Sequence, residues 1–413
     1  MRRITARGAE LALVTALALS LSGCFEWAQY GYDAGRSSYN PTEETLTADT
    51  IGQLTELWSS PLVPSPRNIV ASNSRLVIAT DTHTYGLDVA TGDVVWDHPS
   101  FDGSPVIHGG LVYTASPAFP GHCAEAALEA RDVETGARRV ADDIRAWDDP
   151  ATCLGPSAET AVGRRFALLP SYGYDAQFNP IHGMFAYEWD TGVTYDLGGT
   201  AVTMDESTGL YFPGDFSYVA AGPLPGSANP GWIRVIQTRL VPVSAAGRVY
   251  LVQPGGTGEA DRVLALDAAT GADAWSGVVD VEGGNLVKPA VREGTVFTAA
   301  VVGPRHGQLI AFADCGAPDC APAWTGAEPP VSNGGSVGGP VVAGDLVYLS
   351  VYVSDDSPNP VSQLEVYDAA GCGAATCDPL TTVTVDGQVG EMVVSNGRVF
   401  VVTSTGVHAF GLP

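Results

Sequence analysis

One hairpin pattern, used again and again, limits this chain more than anything else in it. "YGLDVATGDVVW" (85–96) and "LALDAATGADAW" (264–275) both run from an alternating strand through Asp, two residues and Thr-Gly into a second strand ending at Trp. The chemistry is that of a tight β-hairpin. Asp88 and Asp267 can accept hydrogen bonds from turn amides, and Gly92 and Gly271 supply the positive φ that other residues resist. "LEARDVETGARRV" (128–140) repeats the pattern with Val140 in place of Trp, and "FAYEWDTGVTYDL" (185–197) repeats it one residue shorter. In "IAFADCGAPDCAPAW" (310–324) and "VYDAAGCGAATCDPL" (366–380), a Cys-x-x-x-x-Cys turn replaces Thr-Gly. The chain ends on "VHAFGL" (407–412), half of the same unit.

Upstream of each hairpin lies another strand pair, often opened by proline, as in "SPVIHGGLVYTAS" (104–116), "KPAVREGTVFTAA" (288–300), "GPVVAGDLVYLSV" (339–351) and "EMVVSNGRVFVVT" (391–403). Four short antiparallel strands per unit, recurring along the chain, predict an all-β fold, a single β-propeller. Proline at the start of the first strand suits an innermost edge, where one side has no partner. The tryptophans at 96, 232, 275 and 324 then fall on outer strands, between neighbouring blades. Marker residues Asp88, Asp132, Asp190, Asp267, Asp314 and Asp368 are spaced 44, 58, 77, 47 and 54 apart, and the 77-residue step leaves room for a degenerate blade over 200–238. The last unit (387–413) has only three strands, and "LTELWSSPL" (54–62) supplies a Trp-bearing fourth. Joining the two removes both open sheet edges and predicts eight blades, with seven the alternative if 200–238 is an insertion. In such a ring, first-to-second and third-to-fourth strand turns emerge on one face, the turn face. Second-to-third loops and blade-to-blade connections emerge on the other, the loop face.

The N-terminus carries export signals. Arg2, Arg3 and Arg7 precede the apolar run "LALVTALALSL" (11–21), which has signal-peptide length and is short for a membrane span. Leu21-Ser22-Gly23-Cys24 resembles the lipobox of bacterial lipoproteins, a family in which the cysteine is acylated. A twin-arginine signal at Arg2-Arg3 and an ordinary secretory signal are the other readings. The expected organisation is therefore a signal peptide (1–23), a lead-in after a lipidated Cys24 (24–53) and a propeller (54–413), held at the outer side of the plasma membrane or at the outer membrane. Setting Cys24 aside leaves six cysteines, and spacing pairs Cys315 with Cys320 and Cys372 with Cys377. Cys123 and Cys153 remain for each other. The first lies in a loop of blade 2 and the second in the connection into blade 3, on the same face.

A net charge of −26, with 46 acidic against 20 basic residues and Lys288 the only lysine, excludes nucleic acid as a partner. Gly334-Gly335-Ser336-Val337-Gly338 matches a nucleophile pattern that needs a strand-to-helix elbow, and no helix follows it. The seven histidines show no metal-ligand spacing and most read as loop or strand-surface residues, and Asp355-Asp356 reads as an exposed acidic loop. The longer connections "PSYGYDAQFNPIHG" (170–183), "VYVSDDSPNPVS" (351–362) and "SPAFPGHCAEA" (116–126) all fall on the loop face. Tyr172, Tyr174, Phe178 and His182 are the candidate partner-binding residues there, since aromatics beside polar groups suit protein or glycan contact.

The Ala-x-Asp-x-x-Thr-Gly-x-x-x-Trp unit, from Ala265 to Trp275 and, with Gly for Ala, from Gly86 to Trp96, resembles the repeat of pyrroloquinoline-quinone (PQQ)-type propellers. That family includes quinoprotein dehydrogenases and BamB-type outer-membrane assembly lipoproteins. "WAQYGYDAGRSSYNPTEETLT" (27–47) resembles the segment that precedes the first strand in many of them. The resemblance spans 25–413 and implies two activities. Quinone enzymes of the family stack PQQ, with calcium, between Trp and an adjacent-cysteine disulfide, and this chain has no Cys-Cys dipeptide. The expectation is therefore no cofactor, no catalytic residue and no metal, and a monomeric binding or assembly scaffold for an envelope protein or glycan. A PQQ-dependent dehydrogenase or a glycan-acting enzyme is the alternative.

Overall fold

Short apolar alternations separated by Gly-rich turns give eight small antiparallel sheets in the computed structural model. It describes residues 26–61, 66–100, 104–116, 127–144, 153–156, 160–174, 180–197, 203–215, 218–238, 240–255, 261–278, 286–302, 306–327, 337–353 and 360–413. The signal peptide, Cys24, Cys123, Phe178, Ser336 and Asp355-Asp356 lie outside these residues.

Blade 1 shows the plan: Asn68–Ala71, Arg75–Ala79, His83–Asp88 and Val94–Pro99 pair in sequence order from the axis outward. The innermost strands of blades 2 to 7 are Val106–His108, Ala161–Val162, Met204–Asp205, Val243–Ala245, Ala290–Arg292 and Val341–Ala343. Blade 2 is the least regular. Its fourth position is held by isolated bridges at Leu128↔Ile144 and Arg131↔Arg138 rather than by a full strand. The 200–238 stretch does form a blade, with two-residue strands and a longer Tyr218–Pro223. Blade 8 combines Val389–Ser395, Arg398–Thr403 and Gly406–Gly411 with the N-terminal Thr55–Ser60, which pairs antiparallel along Gly406–Gly411. Head and tail are thus joined by ladder hydrogen bonds, and blade 8's innermost strand lies against that of blade 1.

The core is not one mass but a series of seams. Each cluster of buried side chains joins neighbouring blades: Val77, Trp96, Ile107 and Val112 join blades 1 and 2, and Phe297, Trp324, Val347 and Tyr367 join blades 6 and 7. The tryptophans act at these seams. The indole N–H of Trp58 donates to the Val89 carbonyl at 3.1 Å, that of Trp96 to Val133 at 3.0 Å, and that of Trp232 to Ala268 at 2.9 Å. Each acceptor follows the marker Asp of the next blade, and each ring lies where that blade's turn glycine would carry a Cβ. At Gly271, φ is +69° and a Cβ would come within 2.6 Å of the Trp232 ring. The turn therefore needs glycine twice over, for its backbone and for its neighbour.

Where the cysteine turn replaces Thr-Gly the seam changes. Cys315–Cys320 and Cys372–Cys377 are disulfide-bonded, with Cα atoms 6.1 and 5.6 Å apart. Both turns reach back to the blade before them. Thr376–Cys377 adds a parallel strand to the outer edge Trp324–Gly326 of blade 6, and Cys320 bridges Gly277 on the outer edge of blade 5. Trp275 faces the first of these turns, and its buried indole N–H has no acceptor.

Candidate functional site

The lead-in does more than pack on the ring. An innermost strand has one edge with no strand beside it, and its N–H and C=O groups need partners. The segment 27–40 supplies them, one blade after another. Trp27 exchanges backbone hydrogen bonds with Ala71 of blade 1, and Ile107 of blade 2 donates to the Ala28 carbonyl at 2.7 Å. The Gln29 carboxamide both accepts from and donates to Val162 of blade 3. The carbonyls of Ala34, Gly35, Ser37 and Ser38 then accept from Met204, Ser244, Val291 and Val342 of blades 4 to 7. Asn40 closes the circuit by donating to the Val394 carbonyl of blade 8 at 2.9 Å. The chain makes one turn about the axis. Its curvature is costly: Tyr32, Arg36 and Ser38 all have positive φ, at 76°, 58° and 52°. Compensation comes from burial and polar pairing. Arg36 is 1% exposed, and Asp33 accepts from both the amide and hydroxyl of Ser37, at 2.9 and 2.6 Å. Burial lifts the Asp33 carboxyl above its ordinary range, while the Ser37 hydrogen bonds and the Lys288 charge pull it down.

Beneath this turn of chain lies an axial cavity of about 230 Å³. Tyr30 and Ser38 of the lead-in, Lys288, Ser350 and Glu391 give it polar character, and Trp27, Ile69 and Met392 close its apolar sides. The Lys288 ammonium stands 4.2 Å from the centre of the Tyr30 ring and donates to the Ser38 hydroxyl at 3.3 Å. Glu391 accepts from the Ile69 amide at 3.3 Å and is the one carboxylate among the residues lining the cavity. No group of three or more His, Cys, Asp or Glu able to hold a metal occurs among the described residues. With a single acid and no adjacent-cysteine pair, the lining does not match the stacked quinone and calcium set that the resemblance implies. An ammonium and one carboxylate fit a small polar molecule better than a flat cofactor with a divalent ion.

The loop face is raised unevenly. In blade 3 the middle strands are Phe166–Tyr174 and Pro180–Glu188, nine residues each, against five and six in blade 1. In blade 7 they are Leu346–Val353 and Val361–Asp368. Of the connections expected over 170–183 and 351–362, residues 170–174, 180–183, 351–353 and 361–362 are strand, because their backbone groups keep ladder partners, and 175–179 and 354–359 lie outside the described residues. Tyr172 and His182 sit opposite each other in that ladder, and Tyr174 is opposite both Pro180 and Cys153. Three of the four candidate residues are thus strand positions on one projecting hairpin. Cys153–Pro156 runs beside Ser171–Tyr174, which places Cys153 at the entry to blade 3 as expected, while its proposed mate lies outside the described residues.

Two histidines depart from expectation. His98 and His408 are buried, at 7% and 8% exposure, rather than on strand surfaces. Trp96 stacks on His98, and burial lowers its pKa. His408 meets Glu56 of the closing strand at 2.9 Å, beside a cavity of about 320 Å³ between blades 7 and 8. The His408–Glu56 contact joins strands from opposite ends of the chain, whereas Trp96 and His98 lie two apart on one strand and face the same side of it.

Residues 223–352, from blade 4 into blade 7, match a family model described as the outer membrane protein assembly factor BamB. No curated protein sequence matches the chain. Among solved structures, the quinohemoprotein alcohol dehydrogenase ADHIIG of Pseudomonas putida HK5 is similar at 14% identity and a TM-score of 0.60, over 94% of this chain and 80% of that one. BamB of Moraxella catarrhalis is similar at 14% identity and a TM-score of 0.53, over 87% of this chain and all of that one. At such identities these likenesses speak for the fold alone. Taken with the repeat and the closure, they establish an eight-bladed β-propeller that is similar, over residues 223–352, to the BamB family model.

Proposed function

We propose that this is an exported, lipid-tethered propeller that binds a partner of the cell envelope on its loop face and performs no chemistry of its own. The observation that carries the reading is the use of the axis. The protein's own lead-in takes up the hydrogen bonds of all eight innermost edges, and the cavity left beneath it presents one carboxylate. Acid–base or quinone chemistry on the axis would require converging acids or a stacking pair, and the described residues lining the cavity bring one carboxylate. Rigid projecting hairpins with aromatic positions, such as Tyr172 and Tyr174, are what a docking surface uses. The match to a BamB family model supports an assembly partner, and the two disulfides support an oxidising compartment.

The test is crosslinking of the native protein in intact envelopes, beside an assay of purified protein loaded with PQQ and calcium. A specific crosslinked partner, lost when Tyr172, Tyr174, Phe178 and His182 are replaced together by Ala, is the expected result. Reduction of an electron-accepting dye on alcohols or sugars would overturn the reading.

A further inference from the structure

We propose that the turn face lies on the membrane, with the loop face turned away from it. The inference rests on the lipid-anchor reading of Cys24 and adds an orientation that the anchor alone does not specify. Trp27 is 2% exposed and bridges Ala71 antiparallel, at the end of blade 1's innermost strand. In an antiparallel pair, the residue before Trp27 lies beside the one after Ala71, so from Trp27 to Glu26 the chain heads toward Ser72 and the first turn of blade 1. Three Cα steps separate Cys24 from Trp27, a reach of at most about 11 Å. An acyl chain on Cys24 is too close to this fixed point to let the disc turn over, because the loop face lies a full blade-height away.

Charge agrees with this orientation. In a chain of net charge −26, arginines gather at the turn face: Arg75, Arg164, Arg165, Arg248 and Arg292 all border first-to-second strand turns. Arg75, Arg248 and Arg292 are paired with Asp88, Asp267 and Asp345 on the same face. These pairings offset part of the acidic charge on the side to which the anchor leads, and so lessen its repulsion from an anionic bilayer. The long middle strands of blades 3 and 7 lead toward the loop face, away from the lipid.

The experiment uses the full-length acylated protein in phosphatidylethanolamine/phosphatidylglycerol vesicles containing a headgroup-nitroxide lipid. A fluorophore is placed on the turn face through Asn73→Cys or Ala269→Cys, and on the loop face through Thr82→Cys or Ser404→Cys. Labels at Asn73 and Ala269 should lose most of their emission, and those at Thr82 and Ser404 almost none. A Gly/Ser spacer of about twenty residues after Phe25, reaching about 25 Å, should abolish the difference. Membrane-bound protein with equal or reversed quenching overturns the orientation while leaving the anchor intact. Wild-type protein recovered in the soluble fraction with an unmodified Cys24 overturns the anchor, and the orientation with it.

Discussion

Asp267 shows how much one side chain carries in this repeat. Its carboxylate accepts from the amide and the hydroxyl of Thr270, at 3.0 and 2.8 Å, and from Arg248 across the strand pair at 3.0 Å. The Thr270 hydroxyl is the main cause holding its pKa below the ordinary carboxylate value, and Thr135 does the same for Asp132. A depressed folded-state pKa means that the unfolded chain takes up the proton first. The stabilisation is present above the unfolded value, near pH 4, and is lost as pH falls through the folded value. Asp33 works in the opposite sense, because burial raises its folded pKa and protonation relieves the cost. Asp267→Asn should lower the melting temperature at pH 7 by the equivalent of about 1 kcal/mol. The gap from wild type should shrink below about pH 4, as the wild-type carboxylate is itself neutralised. Thermal melts of both proteins across pH 3 to 7 check this; a gap that is constant with pH would contradict it.

At the scale of the element, the hairpin turn is the joint between blades, and the chain builds it in two ways. The Thr-Gly turn receives the preceding blade's Trp. The cysteine turn of blade 7 receives Trp324 at Gly371 in the same way and in addition extends the preceding sheet: the amides of Thr325 and Ala327 donate to the carbonyls of Ala375 and Cys377, at 2.9 and 2.8 Å. The disulfide keeps that short segment in place. Replacing Cys372 and Cys377 together by Ala removes a crosslink over a five-residue separation, for which the chain-entropy model gives about 2 kcal/mol. The denaturant midpoint should fall accordingly. Hydrogen exchange at Thr325 and Ala327 should accelerate more than in the blade's inner strands, and unchanged protection there would show that the strand pairs without its crosslink.

For the whole molecule, closure is the decisive event, and the N-terminal segment performs it twice. Thr55–Ser60 completes blade 8 at the rim, and residues 27–40 tie all eight inner edges at the axis. Removing residues 24–60 would leave Gly406–Gly411 as an open edge and deprive the inner edges of their partners. Such a truncation should form oligomers or aggregates through that edge and unfold over a broader temperature range. Size-exclusion chromatography with light scattering, beside calorimetry, checks it. A monomeric truncation with a sharp transition would mean that the seams alone hold the ring.

Much of this was written in local pattern. Alternation and the Asp-x-x-Thr-Gly turn determined the hairpins and the half unit at each end pointed to the closure, because each depends on neighbours in sequence, whereas the choice of eight blades over seven was decided by the sheet that 200–238 forms. The course of the lead-in was not legible. Its contacts are mostly backbone groups meeting backbone groups from strands up to about 300 residues away, as between Ser38 and Val342, and such groups are the same in every residue. Burial of His98 and His408, and the continuation of strands through Tyr172 and Tyr174, likewise depend on what lies across the sheet. The cavity around Lys288 exists only because four distant stretches converge on one axis. Hydrogen bonding and side-chain period act locally and can be read along a chain, whereas a closed ring decides which edges are left to be satisfied, and by what.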